Sequence, residues 1–164
     1  MKTIYVVRHA KSSWGDLTIP DFDRPLSDRG QRNAPEMAQR LLNRGIHIDG
    51  FISSTARRAL QTAIQFAKVF DRSPEEIQLH DELYHAPSSI YGELISGLDD
   101  SLASVAIFGH NPGISYFVNT LTTTRIDEMP TCGIFAVSIE APSWKQFAAA
   151  KKSFLFFDRP KDGG

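Results

Sequence analysis

The sequence is poor in the features that mark secreted and membrane proteins. Its single cysteine, Cys132, excludes an internal disulfide, is predicted to be structural and is typical of a reducing compartment. No apolar run approaches the roughly 18 residues that a membrane-spanning helix needs. The apolar run Ile4 to Val7 is also too short for the core of a signal peptide. We therefore expect a cytoplasmic protein with no membrane partner.

An excess of one charge is also absent, because 18 lysines and arginines are balanced by 19 aspartates and glutamates, for a net charge of −1. Nucleic-acid-binding domains normally concentrate positive charge, so we expect no nucleic-acid partner. We find no cluster of carboxylates with the character of a metal site and predict no metal and no other cofactor. The chain has 164 residues and no repeat or linker, which predicts a single domain over 1–164.

Segments with strand character alternate with segments of helical periodicity through most of the chain. The predicted strands cover residues 3–8, 48–54, 77–80, 104–109, 133–140 and 154–158, and the predicted helices cover 24–45, 55–70, 89–98 and 114–122. Ser27 or Asp28 can cap the first helix, and Gly45 can end it. This alternation predicts a three-layer α/β/α sandwich with a mostly parallel central sheet and an antiparallel edge strand.

Polar side chains follow three of the predicted strands where each strand ends. They are Arg8 and His9, then Arg57 and Arg58 at the start of a helix, and His110 and Asn111 before another helix. Ligands of open α/β sheets bind outside the carboxyl ends of the strands, and helix N-termini favour anions. Taken together, the three segments predict a phosphate pocket.

Three quoted segments are similar to motifs of one family. "VVRHAKSSW", "FISSTARRALQTA" and "FGHNPGIS" resemble the three motifs of the histidine phosphatase superfamily, with Thr55 in place of the usual proline. This register puts the phosphate-binding arginine of the family at Arg58 and leaves Arg57 on the surface. The segments "DFDRPLSDRGQRNA" and "MPTCGIFAV" also fit. The short chain most resembles the small SixA-like phosphohistidine phosphatases, which implies a phosphoglycerate-mutase-like fold.

The resemblance implies a two-step phosphoryl transfer in which His9 attacks phosphorus and water then cleaves the phosphoenzyme. Arg8, Arg58 and His110 would surround the phosphoryl oxygens, and Asn111 would also bind phosphate. A phosphate or sulfate ion is the ligand expected in the pocket. Lys11 receives no assignment.

Two departures from the larger members of the family bear on the substrate. The glutamate that serves as general acid in those members corresponds here to Tyr84 or His85. The possible general acids of this chain are therefore Glu82 and His85, or no acid is needed. The insertions that enclose a sugar phosphate are missing, and Gly15 replaces an asparagine of the mutases. A phosphoramidate needs less acid assistance than an alkyl phosphate, so phosphohistidine in a phosphorylated protein is the predicted substrate. The alternatives are a phosphatase of small phosphorylated substrates and a catalytically silent module that binds phosphorylated partners.

Overall fold

The computed structural model of the protein describes residues 1–161. Within them lie six strands and four α-helices, in an order that alternates for most of the chain. The strands are β1 (Lys2–Arg8), β2 (Gly50–Ser54), β3 (Gln78–His80), β4 (Ser104–Gly109), β5 (Ile134–Ile139) and β6 (Lys152–Asp158). The helices are α1 (Asp28–Asn43), α2 (Arg57–Val69), α3 (Ser88–Ser96) and α4 (Gly113–Leu121).

All six strands form one sheet in the order β3-β2-β4-β1-β5-β6. The pairs β2–β3, β2–β4 and β1–β4 are parallel, whereas β1–β5 and β5–β6 are antiparallel. The predicted α/β sandwich is therefore confirmed, and its antiparallel edge consists of two strands. No helix within the described residues is long and apolar enough to cross a membrane.

Alternation along β1 divides the core between two faces of the sheet. Ile4 and Val6 lie in a cluster with residues of α3 and α4, whereas Tyr5 and Val7 lie in a second cluster with residues of α1 and α2. Side chains of a strand point to opposite faces in turn, so a strand that is apolar throughout must be covered on both sides. This double burial produces the three layers.

The ends of α1 follow from local chemistry. The Ser27 hydroxyl accepts a hydrogen bond from the Gly30 backbone N–H at 3.1 Å, so Ser27, and not Asp28, caps the helix. Beyond the C-terminus, Gly45 has φ +78°, a left-handed conformation that glycine adopts without a Cβ penalty.

The register of the parallel strands brings the predicted site residues to one level. Arg8 of β1 lies beside Gly109 of β4, and Ser53 of β2 lies beside Phe108 of the same strand. Neighbouring strands are about 4.8 Å apart. The residues that follow these three strands therefore emerge next to one another at the carboxyl edge of the sheet.

Candidate active site

A small cavity of about 180 Å³ lies at this carboxyl edge. Its lining residues are Arg8, His9, Lys11, Ser12, Trp14, Arg24, Arg58, His110, Asn111 and Thr131. The structure thus brings together five of the predicted site residues, which come from three separate segments. A larger groove of about 670 Å³ lies at α3 and α4, and its lining includes Phe117 and Phe147 with one cation, Lys152. The clustered cations and imidazoles distinguish the smaller cavity as the candidate active site.

His9 is held in the state that a nucleophile requires. Its Nδ1 lies 2.7 Å from the carbonyl oxygen of Ala10, which can only accept a hydrogen bond, so Nδ1 carries the proton and Nε2 keeps a free lone pair. The side chain is buried, and burial lowers its pKa well below the ordinary value, with further contributions from His110 and Arg8. His9 is therefore a neutral imidazole at pH 7.

His110 is also neutral, and its tautomer follows from Ser54. The Ser54 hydroxyl accepts the Ala56 N–H at 3.1 Å and lies 2.9 Å from His110 Nε2. Of these two contacts, Nε2 alone offers an acceptor for the Ser54 proton, so we assign the hydrogen bond as donated by Ser54 to Nε2. The proton of His110 then resides on Nδ1. Burial, followed by the charge of Arg58, lowers the pKa of His110 to about 3. The neighbouring Tyr91 hydroxyl accepts the His110 backbone N–H at 3.1 Å and so fixes the start of this segment.

The two arginines are anchored through part of each guanidinium group. Arg8 donates from Nη1 to the Met129 carbonyl at 3.0 Å. Arg58 donates from Nη1 to the Asp21 carbonyl at 2.8 Å and from Nη2 to the Asp21 carboxylate at 3.1 Å. Each arginine keeps Nε without a partner. The buried Nε–H of each side chain is thus left for a ligand.

Unpaired donors converge on the cavity. Among residues 1–161, Arg8 Nε, Arg58 Nε and His110 Nδ1 are buried, belong to cavity-lining residues and have no hydrogen-bond partner. A buried unpaired donor costs about 1–3 kcal/mol. Burial, together with the nearby charge of Arg58, also lowers the pKa of Arg8. An anion with several acceptor oxygens would satisfy all three donors, and a phosphoryl group has this chemistry.

A hydrogen bond also links the first two motifs. The Thr62 hydroxyl of α2 accepts the Ala10 backbone N–H at 3.0 Å and donates to the Arg58 carbonyl at 2.8 Å. The backbone after His9 is therefore fixed to the helix turn that carries Arg58.

Asn111 lines the cavity, but its amide is engaged in the wall. Nδ2 donates to the Met129 carbonyl at 3.0 Å and to Glu128 at 3.2 Å, and Oδ1 accepts from Ser115 at 2.5 Å. Its phosphate-binding role therefore stays a prediction, and the observed contacts hold the segment after β4 in place.

The two possible general acids lie in different surroundings. Glu82 is exposed and pairs with His80 at 3.2 Å, and it does not line the cavity. His85 stacks on Tyr84 with ring centroids 4.0 Å apart and lines a groove that shares Asn111 with the cavity. Its φ of +61° is uncommon for a residue with a side chain. His85 is thus nearer to the reacting region than Glu82.

The site residues that sequence reasoning missed include Asp21, Arg24 and Tyr84. Arg24 is buried, lines the cavity and lies over the Trp14 ring at 3.5 Å from its centroid. Lys11, which had no assigned role in the sequence analysis, also lines the cavity. The charged run "DFDRPLSDRG" was the available signal for Asp21 and Arg24. No cluster of three or more metal-ligating histidine, cysteine or carboxylate side chains occurs within the described residues.

Comparison with known proteins agrees with this geometry. The sequence profile described as histidine phosphatase superfamily (branch 1) matches residues 4–85. An uncharacterised protein of Mycobacterium tuberculosis is 30% identical over 165 residues, which cover 94% of this chain and 100% of the relative. The chain belongs to the histidine phosphatase superfamily.

Solved structures place it among the SixA-like members of the superfamily. A protein of Agrobacterium tumefaciens, proposed to be the phosphohistidine phosphatase SixA, superposes with a TM-score of 0.82 at 27% identity, covering 97% of this chain and 98% of that one. The fold also matches a protein histidine phosphatase SixA complexed with tungstate, with a TM-score of 0.80 at 20% identity and 94% and 95% coverage. Family and neighbours together support a phosphatase, a hydrolase of phosphorylated substrates.

Proposed function

We propose that this protein is a metal-independent phosphatase that removes the phosphoryl group from phosphohistidine in a protein through a phosphoenzyme on His9. The observation that carries the proposal is a neutral His9 with a free Nε2, in a cavity with three unpaired N–H donors. The proposed domain is the whole of residues 1–164.

In the first step, the lone pair of His9 Nε2 forms a bond to phosphorus while the bond from phosphorus to the substrate imidazole breaks. The departing nitrogen keeps that electron pair, and the leaving ring departs as neutral imidazole if its other nitrogen was already protonated. In the second step, the oxygen of water attacks phosphorus, the bond to Nε2 breaks, and inorganic phosphate leaves. Nδ1 of His9 keeps its hydrogen bond to Ala10 throughout.

Arg8, Arg58 and His110 stabilise the phosphoryl oxygens in both steps. Their free N–H groups are already in place in a buried cavity, so little reorganisation is needed as charge develops. Because His110 Nδ1–H is neutral, it contributes a hydrogen bond without adding another buried charge beside the two arginines.

A strong general acid is unnecessary for a nitrogen leaving group. Where a proton is needed, we assign its donation to His85 in preference to Glu82, because His85 borders the groove next to the cavity. Replacing His85 with glutamine should slow the hydrolysis of alkyl phosphates more than that of phosphohistidine or p-nitrophenyl phosphate.

The size of the cavity favours a protein substrate over a small molecule. Pockets that enclose small ligands measure about 300–1,000 Å³, whereas this cavity has about 180 Å³. A phosphoryl group fits inside, and the rest of the substrate must lie outside, where the exposed Trp14 ring lines the mouth. An exposed aromatic side chain there suits contact with a protein surface.

The test is phosphate release from a phosphohistidine protein, a panel of small phosphate esters and p-nitrophenyl phosphate. The His9→Ala variant should lose at least about 10³-fold of the turnover, and radiolabelled phosphate should be trapped on His9 of the wild type. His47→Ala, which removes an exposed histidine outside the cavity, is the matched control and should retain full turnover.

Wild-type turnover by His9→Ala would overturn the phosphoenzyme mechanism. Faster hydrolysis of a small ester than of phosphohistidine would identify a small-molecule phosphatase. Phosphate binding without release from any substrate would identify a binding module.

A further inference from the structure

Asp21 lies in a short 3-10 turn, Asp21–Asp23, in the loop between β1 and α1. Its carboxylate oxygen Oδ1 accepts from Arg24 at 3.1 Å through both Nε and Nη2. Its other oxygen, Oδ2, accepts from Arg58 Nη2 at 3.1 Å and from the Tyr84 hydroxyl at 2.5 Å. One carboxylate thus joins side chains from three separate segments.

These contacts determine which donor of Arg58 remains available. The Asp21 carbonyl accepts Arg58 Nη1, and the Asp21 carboxylate accepts Nη2, so both terminal nitrogens are oriented toward the same residue. Nε is then the buried nitrogen of Arg58 without a partner. A planar guanidinium has a fixed fork, so holding two of its nitrogens fixes the direction of the third.

The same carboxylate fixes the cavity wall on either side of Arg58. Arg24 is held between Asp21 and the Ser12 hydroxyl, 2.9 Å from Nη1, and it lies over the Trp14 ring at the mouth. Tyr84 contacts His110 edge to face, with ring centroids 5.6 Å apart. Both contacts are made by side chains that Asp21 also orients.

Asp21 is an anion beside a site for anions. The hydrogen bond from Tyr84, followed by the charge of Arg58, lowers the pKa of Asp21 to about 2, so it is charged at pH 7. From charge alone, its carboxylate repels a phosphoryl group and would weaken binding. Its presence is explained if its contribution through the geometry of Arg58 outweighs this repulsion.

We propose that Asp21 is the positioning residue of the phosphate site, which fixes Arg58 so that Nε faces the phosphoryl group and joins Arg24 and Tyr84 to the same anchor. The inference rests on the proposed function only in taking a phosphoryl group as the ligand. Asp21 acts through Arg58 and does not need to contact the substrate.

The direction of the change in phosphate affinity distinguishes a positioning role of Asp21 from a purely electrostatic one. Calorimetric titration with inorganic phosphate should show that Asp21→Asn binds about 10-fold more weakly than the wild type, although a negative charge has been removed. Asp21→Ala, which places no amide against the guanidinium, should weaken binding as well. Asp23→Asn removes the same charge two residues away, where its side chain has no hydrogen bond or ion pair within residues 1–161, and is the matched control. It should bind phosphate as the wild type does or slightly more tightly.

A double variant tests whether Asp21 acts through Arg58. Asp21→Asn combined with Arg58→Gln should bind phosphate no more weakly than Arg58→Gln alone, because the positioned group is already absent. Circular dichroism at the titration temperature confirms that each variant is folded. Unchanged or tighter binding by Asp21→Asn and Asp21→Ala, or additive losses in the double variant, would overturn the inference.

Failure of the Asp21 inference can be distinguished from failure of the proposed function. A wild-type protein that binds phosphate but releases none from a phosphohistidine protein would contradict the proposed function, and the Asp21 titrations would still decide the inference. A wild-type protein that binds no phosphate would contradict both.

Discussion

Strand β1 carries a cation near each end, the buried Lys2 and the half-buried Arg8, and the two cations have different surroundings. At the N-terminal end, Lys2 Nζ donates to the carbonyls of Asp100 at 2.6 Å and Leu102 at 2.9 Å and lies 5.5 Å from the centre of the Trp144 ring. At the carboxyl end, Arg8 has one hydrogen bond, to Met129, and a buried Nε without a partner. The first cation is satisfied by the protein, whereas the second has a donor left for a ligand.

This difference indicates that the two ends of β1 contribute differently to the protein. A satisfied buried cation contributes to folding, because its partners replace the lost water. A buried N–H without a partner weakens the folded state and is retained where a ligand completes it. The same strand thus contributes to the core at one end and to the proposed phosphate site at the other.

The largest expected effect contrasts the two cations directly. Arg8→Met should lower kcat/KM by about 10²–10³-fold without lowering the melting temperature, because burial of the Arg8 charge is unfavourable. Lys2→Met should leave kcat/KM within about twofold but cost about 1–3 kcal/mol of stability, or about 2–4 °C per kcal/mol. Steady-state kinetics and thermal melts of both variants measure this. Equal losses of activity would show that the comparison is wrong.

The second prediction concerns acid stability, which the buried neutral His9 and His110 should limit. Their folded pKa values are lowered, that of His110 to about 3, whereas an unfolded histidine titrates near 6.5. The unfolded chain therefore takes up protons first, so stability present above pH 6.5 is lost as the pH falls toward 3, by at most about 1.4 kcal/mol per pH unit for each residue. Urea unfolding at pH 7.5 and pH 5 measures the loss. The loss of stability should be smaller in His110→Asn. An equal loss in that variant would show that His110 does not contribute to the acid sensitivity.

The third prediction concerns the tautomer of His110. Ser54→Ala removes the donor to Nε2, so the proton can move away from Nδ1, and kcat should fall about 10-fold, less than the about 10²–10³-fold for loss of a whole donor. Ser53→Ala is the matched control, since the Ser53 hydroxyl donates to a backbone carbonyl at 2.9 Å and should change kcat less than twofold. Nitrogen NMR of the His110 ring reports the tautomer. An unchanged tautomer in Ser54→Ala would contradict the assignment.

The smallest effect is expected for Arg57, which is exposed and lies 3.5 Å from the Asp23 carbonyl. Arg57→Ala should change kcat/KM less than twofold, whereas Arg58→Ala should lower it about 10²–10³-fold. The pair tests the register that places the functional arginine at Arg58. Comparable losses in the two variants would show that both arginines serve the site.

Several features could be predicted from the sequence because they depend on residues that are close together in the chain. The apolar run of β1 required cover on both faces, Ser27 was among the two caps expected for α1, and Gly45 ended that helix as predicted. The resemblance to the second family motif assigned Arg58 in preference to Arg57, and the structure places Arg58 at the cavity. The polar residues that follow the predicted strands also predicted that Arg8, His9 and His110 would meet.

The parts that the tertiary structure decided depend on residues far apart in the chain. Asp21 reaches Arg58 across 37 positions and Tyr84 across 63, and Ser54 sets the tautomer of His110 across 56. No periodicity or local motif encodes such a contact, because it requires the loop after β1, the start of α2 and the loop after β3 to be packed together. The sequence by itself determined the elements and the cations at the strand ends. Packing decided which nitrogens of Arg8, Arg58 and His110 were left buried without a partner. The reason is that a hydrogen bond depends on distance and angle in space and not on position in the chain.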